Sequence, residues 1–226
     1  MDTMEETTKT GLRHQSNIPL QRHQYVELQS ALIQLGQHPR TSYPDRVIHS
    51  IYLDDHELND YHDNISGISR RSKTRIRWYD DHTNKLVFEI KRKIIKVSDK
   101  RIIKIDNPAG TIPRFRSDYM KLVRSNSKLL PISQFISLFP VIEVEYHRSY
   151  FELAEAIRMT SDHSIRYRKL YPQPSEKWQH SPVDTVIEFK YPVGKEESFE
   201  RLLRNIPSRI FRHSKYVIGI DNVCVG

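Results

Sequence analysis

Arg71, Lys73, Arg75 and Arg77 recur at two-residue spacing within RRSKTRIRWYDDHTNKLVFEIKRK, residues 70–93. In a β-strand that spacing sends all four side chains to one face, with Thr74, Ile76 and Trp78 on the other. Beyond the polar turn 80–84, Leu86, Phe88 and Ile90 alternate with Glu89, Lys91 and Lys93, so the stretch reads as a hairpin with an apolar and a cationic face. Like charges about 7 Å apart repel one another, and the face is suited to an anion. A solvated sheet face is the plain explanation for alternating charge, but such faces usually mix both signs, and Arg71 to Arg77 carry no acid. Glu-x-Lys occurs twice, as Glu89/Lys91 and Glu188/Lys190. Arg forks onto phosphate oxygens and Lys acts as a point charge, so a polyanion such as a triphosphate fits. A carboxylate among such cations adds nothing to phosphate binding but supplies what Mg²⁺ or Mn²⁺ needs, and Glu188 is the candidate ligand.

The chain has 226 residues, a net charge of +8 and a pI near 9.5, which favours an acidic partner: nucleic acid, an anionic surface or a phosphorylated molecule. The lone Cys224 excludes an internal disulfide and a Cys-cluster zinc site, and a reducing, cytoplasmic location is expected. No apolar run approaches the roughly 20 residues of a membrane span. The eleven histidines show no i, i+4 pairing with an acid on a helix. Neither Gly-x-Gly-x-x-Gly nor Gly-x-x-x-x-Gly-Lys occurs, so phosphate would be held by side chains. Tyr52, Trp78, Tyr146 and Tyr150 interleave with basic residues as base-stacking platforms do, although strand aromatics are more often core.

Residues 1–18 lack periodicity and are expected to form a flexible leader, followed by one domain over 19–226. Helical spacing is predicted over 25–35 and strands over 46–54, 70–79, 85–93 and 94–105. Two helical pieces flank Pro131 within 115–138, and a strand follows over 141–151. Residues 156–162 and 164–170 suggest a hairpin through Asp162-His163. A strand over 184–192, a helix over 196–204 and a closing strand-like segment RHSKYVIGIDNV complete the pattern. This is an α+β chain built on antiparallel strands, and a closed or nearly closed barrel gives its charged faces a common interior.

In order, SIYLDD (50–55), RSKTRIRWYD (71–80), VFEIKRK (87–93), VEYHRSYF (144–151), IRMTSD (157–162), VIEFK (186–190) and RHSKYVIG (212–219) resemble the VTC domain, the polyphosphate polymerase branch of the CYTH or triphosphate tunnel metalloenzyme superfamily. The resemblance implies an eight-stranded antiparallel β-barrel, the triphosphate tunnel, with helices packed outside. It implies an enzyme that transfers the γ-phosphate of ATP to growing polyphosphate with a divalent metal, Mn²⁺ or Mg²⁺. Carried over residue by residue, Arg75, Arg77, Lys91, Arg148 and Arg158 would act on the phosphates, Lys73, Lys190, Arg212 and Lys215 would bind substrate, and Glu188 would hold the metal. Members usually open with a strand carrying Glu and Lys two apart, often after an Arg; that place falls on QRHQYVEL, where Arg22 fits as a substrate ligand but Gln24 and Val26 replace the pair. A triphosphate hydrolase of the same fold is the nearest other expectation. A non-catalytic module for polyphosphate, inositol phosphate or another polyanion is the next. Stable nucleic-acid binding is not expected.

Overall fold

The computed structural model describes residues 13–94, 97–206 and 209–224. Strands β1 (Arg13–Leu20), β2 (Arg40–Asp54), β3 (Arg70–Tyr79), β4 (Lys85–Ile94), β5 (Val97–Asp106), β6 (Phe139–Glu152), β7 (Arg158–Lys169), β8 (Gln179–His180) and β9 (Thr185–Pro192) form one antiparallel sheet. Its order is β1-β9-β7-β6-β2-β3-β4-β5, with the two-residue β8 beside β7. The eight long strands match the expected barrel strands, although no backbone ladder joins the edge strands β1 and β5. The sheet nevertheless curls until Lys91 Nζ on β4 lies 3.4 Å from Gln15 Oε1 on β1. Period-two alternation gives it an apolar convex face and a charged concave one.

Helices α1 (Arg22–Gln34), α2 (Asn59–Ser66), α3 (Arg116–Ser125), α4 (Ile132–Phe135), α5 (Glu196–Arg204) and α6 (Lys215–Cys224) are inserted between strands or follow them. On the convex side, α3 and α4 bury Tyr119, Val123 and Phe135 against Ile51, Ile76, Trp78, Phe88 and Ile103. At the other end of the sheet, Leu28 and Leu32 of α1 and Phe199 and Leu202 of α5 pack on Ile18, Met159, Ile187 and Phe189. Helix α6 differs, because it covers one end of the concave face. Its Tyr216, Ile220 and Val223 meet Tyr52, Val144, Tyr146 and Tyr167, with the Tyr216 and Tyr52 rings stacked at 5.0 Å. Buried Asp54 anchors this end: its carboxylate accepts the Tyr216 hydroxyl and the backbone N–H of Asp60 and Tyr61 in the first turn of α2.

Four expectations change. Residues 13–18, assigned to the leader, are strand β1; residues 1–12 lie outside the described residues. QRHQYVEL is not the opening strand but the start of α1, where the Gln24 side chain accepts the Gln21 backbone N–H at 2.8 Å and caps the helix. The two strands expected on either side of Asp162-His163 are one continuous strand, β7. A register shift between Glu145 and His147 of β6, and Ser164 at φ 53°, absorb the irregularity that resembled a turn. The final segment is helix α6 rather than a strand, because Tyr216, Ile220 and Val223 follow helical spacing onto one buried face.

Gly219 lets α6 approach the sheet closely. A Cβ there would lie 2.5 Å from Ile142 Cδ1 and 2.8 Å from Tyr167 Cδ1. Gly219→Ala is expected to destabilise the protein by about 1–3 kcal/mol through overpacking, more than any gain in helix propensity returns. Chemical denaturation of the two proteins measures the difference; equal midpoints would mean that α6 has room to spare.

Candidate functional site

Strand register builds the concave face. β3 contributes Lys73, Arg75 and Arg77, β4 contributes Glu89 and Lys91, and β5 adds Lys100 opposite Lys91. β6 and β7 bring Arg148 opposite Asp162, while β7 and β9 bring Arg158 opposite Lys190 and Thr160 opposite Glu188. Gln15 and Asn17 of β1 lie opposite Lys190 and Glu188. Lys215 enters from the first turn of α6. Arg75, Arg77, Lys91, Arg148, Arg158 and Glu188 thus share one face although they come from five strands.

Three carboxylates divide the cations among them. Glu89 accepts Arg75 Nε at 2.6 Å and Lys100 Nζ at 2.8 Å, with Arg77 Nη1 at 3.7 Å. Arg77 also donates to Ser50 Oγ at 3.3 Å and Tyr146 OH at 3.2 Å. Asp162, with a side chain 1% exposed, takes both Arg148 Nε at 2.5 Å and Nη2 at 2.7 Å, and Lys215 Nζ at 2.5 Å. Glu188 meets one cation, Lys190 Nζ at 2.7 Å, and accepts Gln15 Nε2 at 2.7 Å. Lys73 donates to Ser214 Oγ at 2.8 Å. Among the described residues, Thr160 Oγ1 and His213 Nε2 are buried without hydrogen-bond partners.

Burial opposes ionisation of all three acids, yet neighbouring cations win. Arg75, Arg77 and Lys100 hold Glu89 well below the usual carboxylate range, Lys215 and Arg148 do the same for Asp162, and Lys190 and Arg148 lower Glu188. Lys73 shows the opposite imbalance. Burial, then Lys91, Arg71 and Arg75, push its ammonium down to about 8. Burial likewise lowers His213 to about 4, so its imidazole is neutral near pH 7.

Two of the sequence-selected residues lie apart from this group. Arg22 is exposed on α1, which packs on the convex side, and its backbone N–H donates to Asp184 Oδ2 at 2.9 Å; its expected phosphate role followed from taking QRHQYVEL for a strand. Arg212 is exposed beside Gly67, the C-cap of α2. Lys73, Lys190 and Lys215 do join the concave group. Lys100, Gln15, Asn17 and Ser214 were missed. Lys100 falls on the strand-like run 94–105, and its pairing with Lys91 is the signal that could have found it. The β1 residues gave little signal, since RHQSNIPL offers only Ile18 and Leu20 as alternating apolar positions. On the concave side β1 presents the amides Gln15 and Asn17 opposite Lys190 and Glu188. Asn17 Nδ2 donates to His213 O at 3.3 Å and its carbonyl accepts Phe211 N–H at 3.1 Å, so Asn17 fastens the segment leading to α6 across the sheet.

The VTC domain family model matches residues 7–224, nearly the whole chain. The chain belongs to the VTC domain family. A search of curated proteins finds no match. The fold of this VTC domain is similar to a putative adenylyl cyclase from Hippeastrum, whose structure is described as revealing a dominant triphosphatase activity: TM-score 0.53, 15% identity, 92% of this chain and 94% of that one. It is also similar to a putative adenylate cyclase from Bacillus halodurans, with TM-score 0.51, 13% identity and 90% and 94% coverage. A third similar structure is the PH1819 protein of Pyrococcus horikoshii, with TM-score 0.50, 13% identity and 91% and 96% coverage. At these identities the similarity is one of fold. No helix among the described residues is long and apolar enough to cross a membrane.

The donor chemistry sets a limit on any metal. Among the described residues no three His, Cys, Asp or Glu side chains converge on one point. Glu89 and Asp162 are saturated by cations, whereas Glu188 faces one ammonium and one amide. Mg²⁺ can be held by one or two carboxylates with the rest of its shell from phosphates and water, so the VTC domain fits a divalent ion with Glu188 as its protein donor.

The lowered Lys73 ammonium would couple anion binding to proton uptake. A bound phosphate would raise the depressed Lys73 pKa, so binding of tripolyphosphate near pH 8 is expected to take up protons, seen as a dependence of calorimetric heat on buffer ionisation enthalpy. Lys73→Met should weaken that dependence, leaving the part contributed by Lys91 and Lys100, whose ammonium groups burial also lowers. In the absence of ligand the sign runs the other way: between about 8 and the ordinary lysine value near 10.5 the unfolded chain binds the extra proton, so Lys73 contributes stability that rises with pH across this window.

Proposed function

We propose that this VTC domain is a metal-dependent polyphosphate polymerase, which lays the triphosphate of ATP along the concave face and transfers its γ-phosphate to a growing polyphosphate chain. The observation that carries this is the shared concave face of Arg75, Arg77, Lys91, Arg148, Arg158 and Glu188. Transfer forms a bond from a terminal phosphate oxygen of the chain to the γ-phosphorus and breaks the bond to the β-phosphate bridging oxygen, releasing ADP. Charge spreads over the transferred group, and positioning with charge neutralisation does most of the catalysis. Arg75, Arg77 and Arg148 can fork onto phosphate oxygens, and Lys91, Lys190 and Lys215 can neutralise them. Thr160 Oγ1 and His213 Nε2 are further polar atoms left for a ligand. Mn²⁺ or Mg²⁺ at Glu188 would polarise a phosphoryl oxygen when bound.

A terminal phosphate oxygen is already anionic and needs no base, whereas hydrolysis needs one to activate water. Gln15 and Asn17 on β1 favour a second function, non-catalytic binding of polyphosphate, inositol phosphate or another polyanion, because an acid and an amine are missing there. The ATP such a polymerase consumes suits the cytoplasmic location expected from the single cysteine.

Incubation with ATP and Mn²⁺, followed by gel electrophoresis, is expected to yield a polyphosphate ladder. Glu188→Gln should abolish the ladder while the fold persists. Arg158→Ala, which removes an exposed cation, should raise KM for ATP about tenfold with little change in melting temperature. Phosphate release without a ladder would make the protein a hydrolase; tripolyphosphate binding without turnover would leave the binding module.

A further inference from the structure

We infer that Gln15 makes metal binding at Glu188 conditional on a bound phosphate chain. The inference rests on the phosphate-binding function proposed above. The Gln15 side chain stands between two charged groups of the concave face. Its Nε2 donates to Glu188 Oε2 at 2.7 Å, and its Oε1 lies 3.4 Å from Lys91 Nζ. The remaining Glu188 oxygen, Oε1, meets Lys190 Nζ at 2.7 Å. Both oxygens of the one available carboxylate are therefore turned toward N–H donors.

A divalent cation approaching the empty face meets repulsion as well. Lys190 and Lys91 flank Glu188, and Arg148 is near enough to lower its pKa. Asp162 offers no relief, since Arg148 and Lys215 already neutralise it. A neutral amide at position 15 cannot offset Lys91 as a carboxylate would. A phosphate chain reverses each term: its oxygens draw the lysines and Arg148 to themselves, its charge attracts the cation, and its non-bridging oxygens fill the coordination shell. Glu188 then needs to supply only one ligand. A purely structural Gln15, serving only to join β1 to β4 at the open seam, would leave metal affinity unchanged when replaced by alanine.

The test uses the full chain and Mn²⁺, with free ion followed by electron paramagnetic resonance. Wild type without phosphate is expected to leave the Mn²⁺ signal unchanged, while Gln15→Glu binds Mn²⁺ alone at least about tenfold more tightly. Calorimetry with tripolyphosphate should show tighter binding to wild type in Mn²⁺ than in EDTA. Glu188→Gln should lose the Mn²⁺ enhancement, and Gln15→Ala, which removes the amide donor without adding a ligand, should bind Mn²⁺ alone more tightly than wild type, which decides the matter even if Gln15→Glu misfolds. Mn²⁺ binding to phosphate-free wild type as tight as to Gln15→Glu would overturn the inference while leaving tripolyphosphate binding intact. Failure of tripolyphosphate to bind in either buffer would instead remove the proposed function, and this inference with it.

Discussion

Asp162 is buried, ionised and shared by Arg148 from the neighbouring strand and Lys215 from the last helix, and the concave face depends on that arrangement. Desolvating a carboxylate costs several kcal/mol, and the cost is recovered only when the surrounding donors are well placed. Here the bidentate guanidinium and the ammonium satisfy both oxygens. The same contacts fix the ring of Tyr146 between them, with Arg148 at 5.3 Å and Lys215 Nζ at 4.7 Å from its centroid. Asp162 therefore does for α6 what a turn does for a hairpin: it sets where the helix begins relative to the sheet.

The rest of the face follows a similar economy of charge. Concentrating arginines and lysines on one concave surface destabilises the empty protein, and at Lys73 that repulsion adds to the larger effect of burial. Glu89 and Asp162 each absorb two or three cations, which leaves the face positive but foldable. The convex face handles its charges differently. Glu143, fully buried, is gripped by Arg114 at 2.8 Å and by Arg168, a pairing that belongs to the outer layer and faces away from the candidate site. Polarity on one strand thus serves two ends: a charged concave face inside, and packing of the 114 and 168 side chains outside.

Period-two alternation made β3, β4, β6 and β9 legible, because each has one apolar and one charged face and the physics of a curled sheet leaves the charged sides facing inward. The ordered set of short matches gave the family and most of the concave residues. What failed had no such periodicity. β1 has only two apolar positions in register, so it looked like leader, and the true opening strand was sought eight residues late in a helix. A bulge in the β6 and β7 pair imitated a turn. In RHSKYVIGIDNV the apolar residues fit both periods, and only the packing partners of Tyr216 and Ile220 decide for a helix. Contacts between distant segments, such as Gln15 with Glu188, were invisible because a single sequence does not reveal register.

Helix α6 has a consequence for how the molecule comes into being. Lys215 and Tyr216 neutralise Asp162 and cap Asp54, residues that lie 53 and 162 positions earlier. During synthesis, which proceeds from the N-terminus, the strands from β2 to β7 emerge before the partners that α6 supplies to these two acids. Non-local pairings of this kind slow folding, since the loop must close before the contact forms. The charged interior is therefore completed only after α6 has emerged.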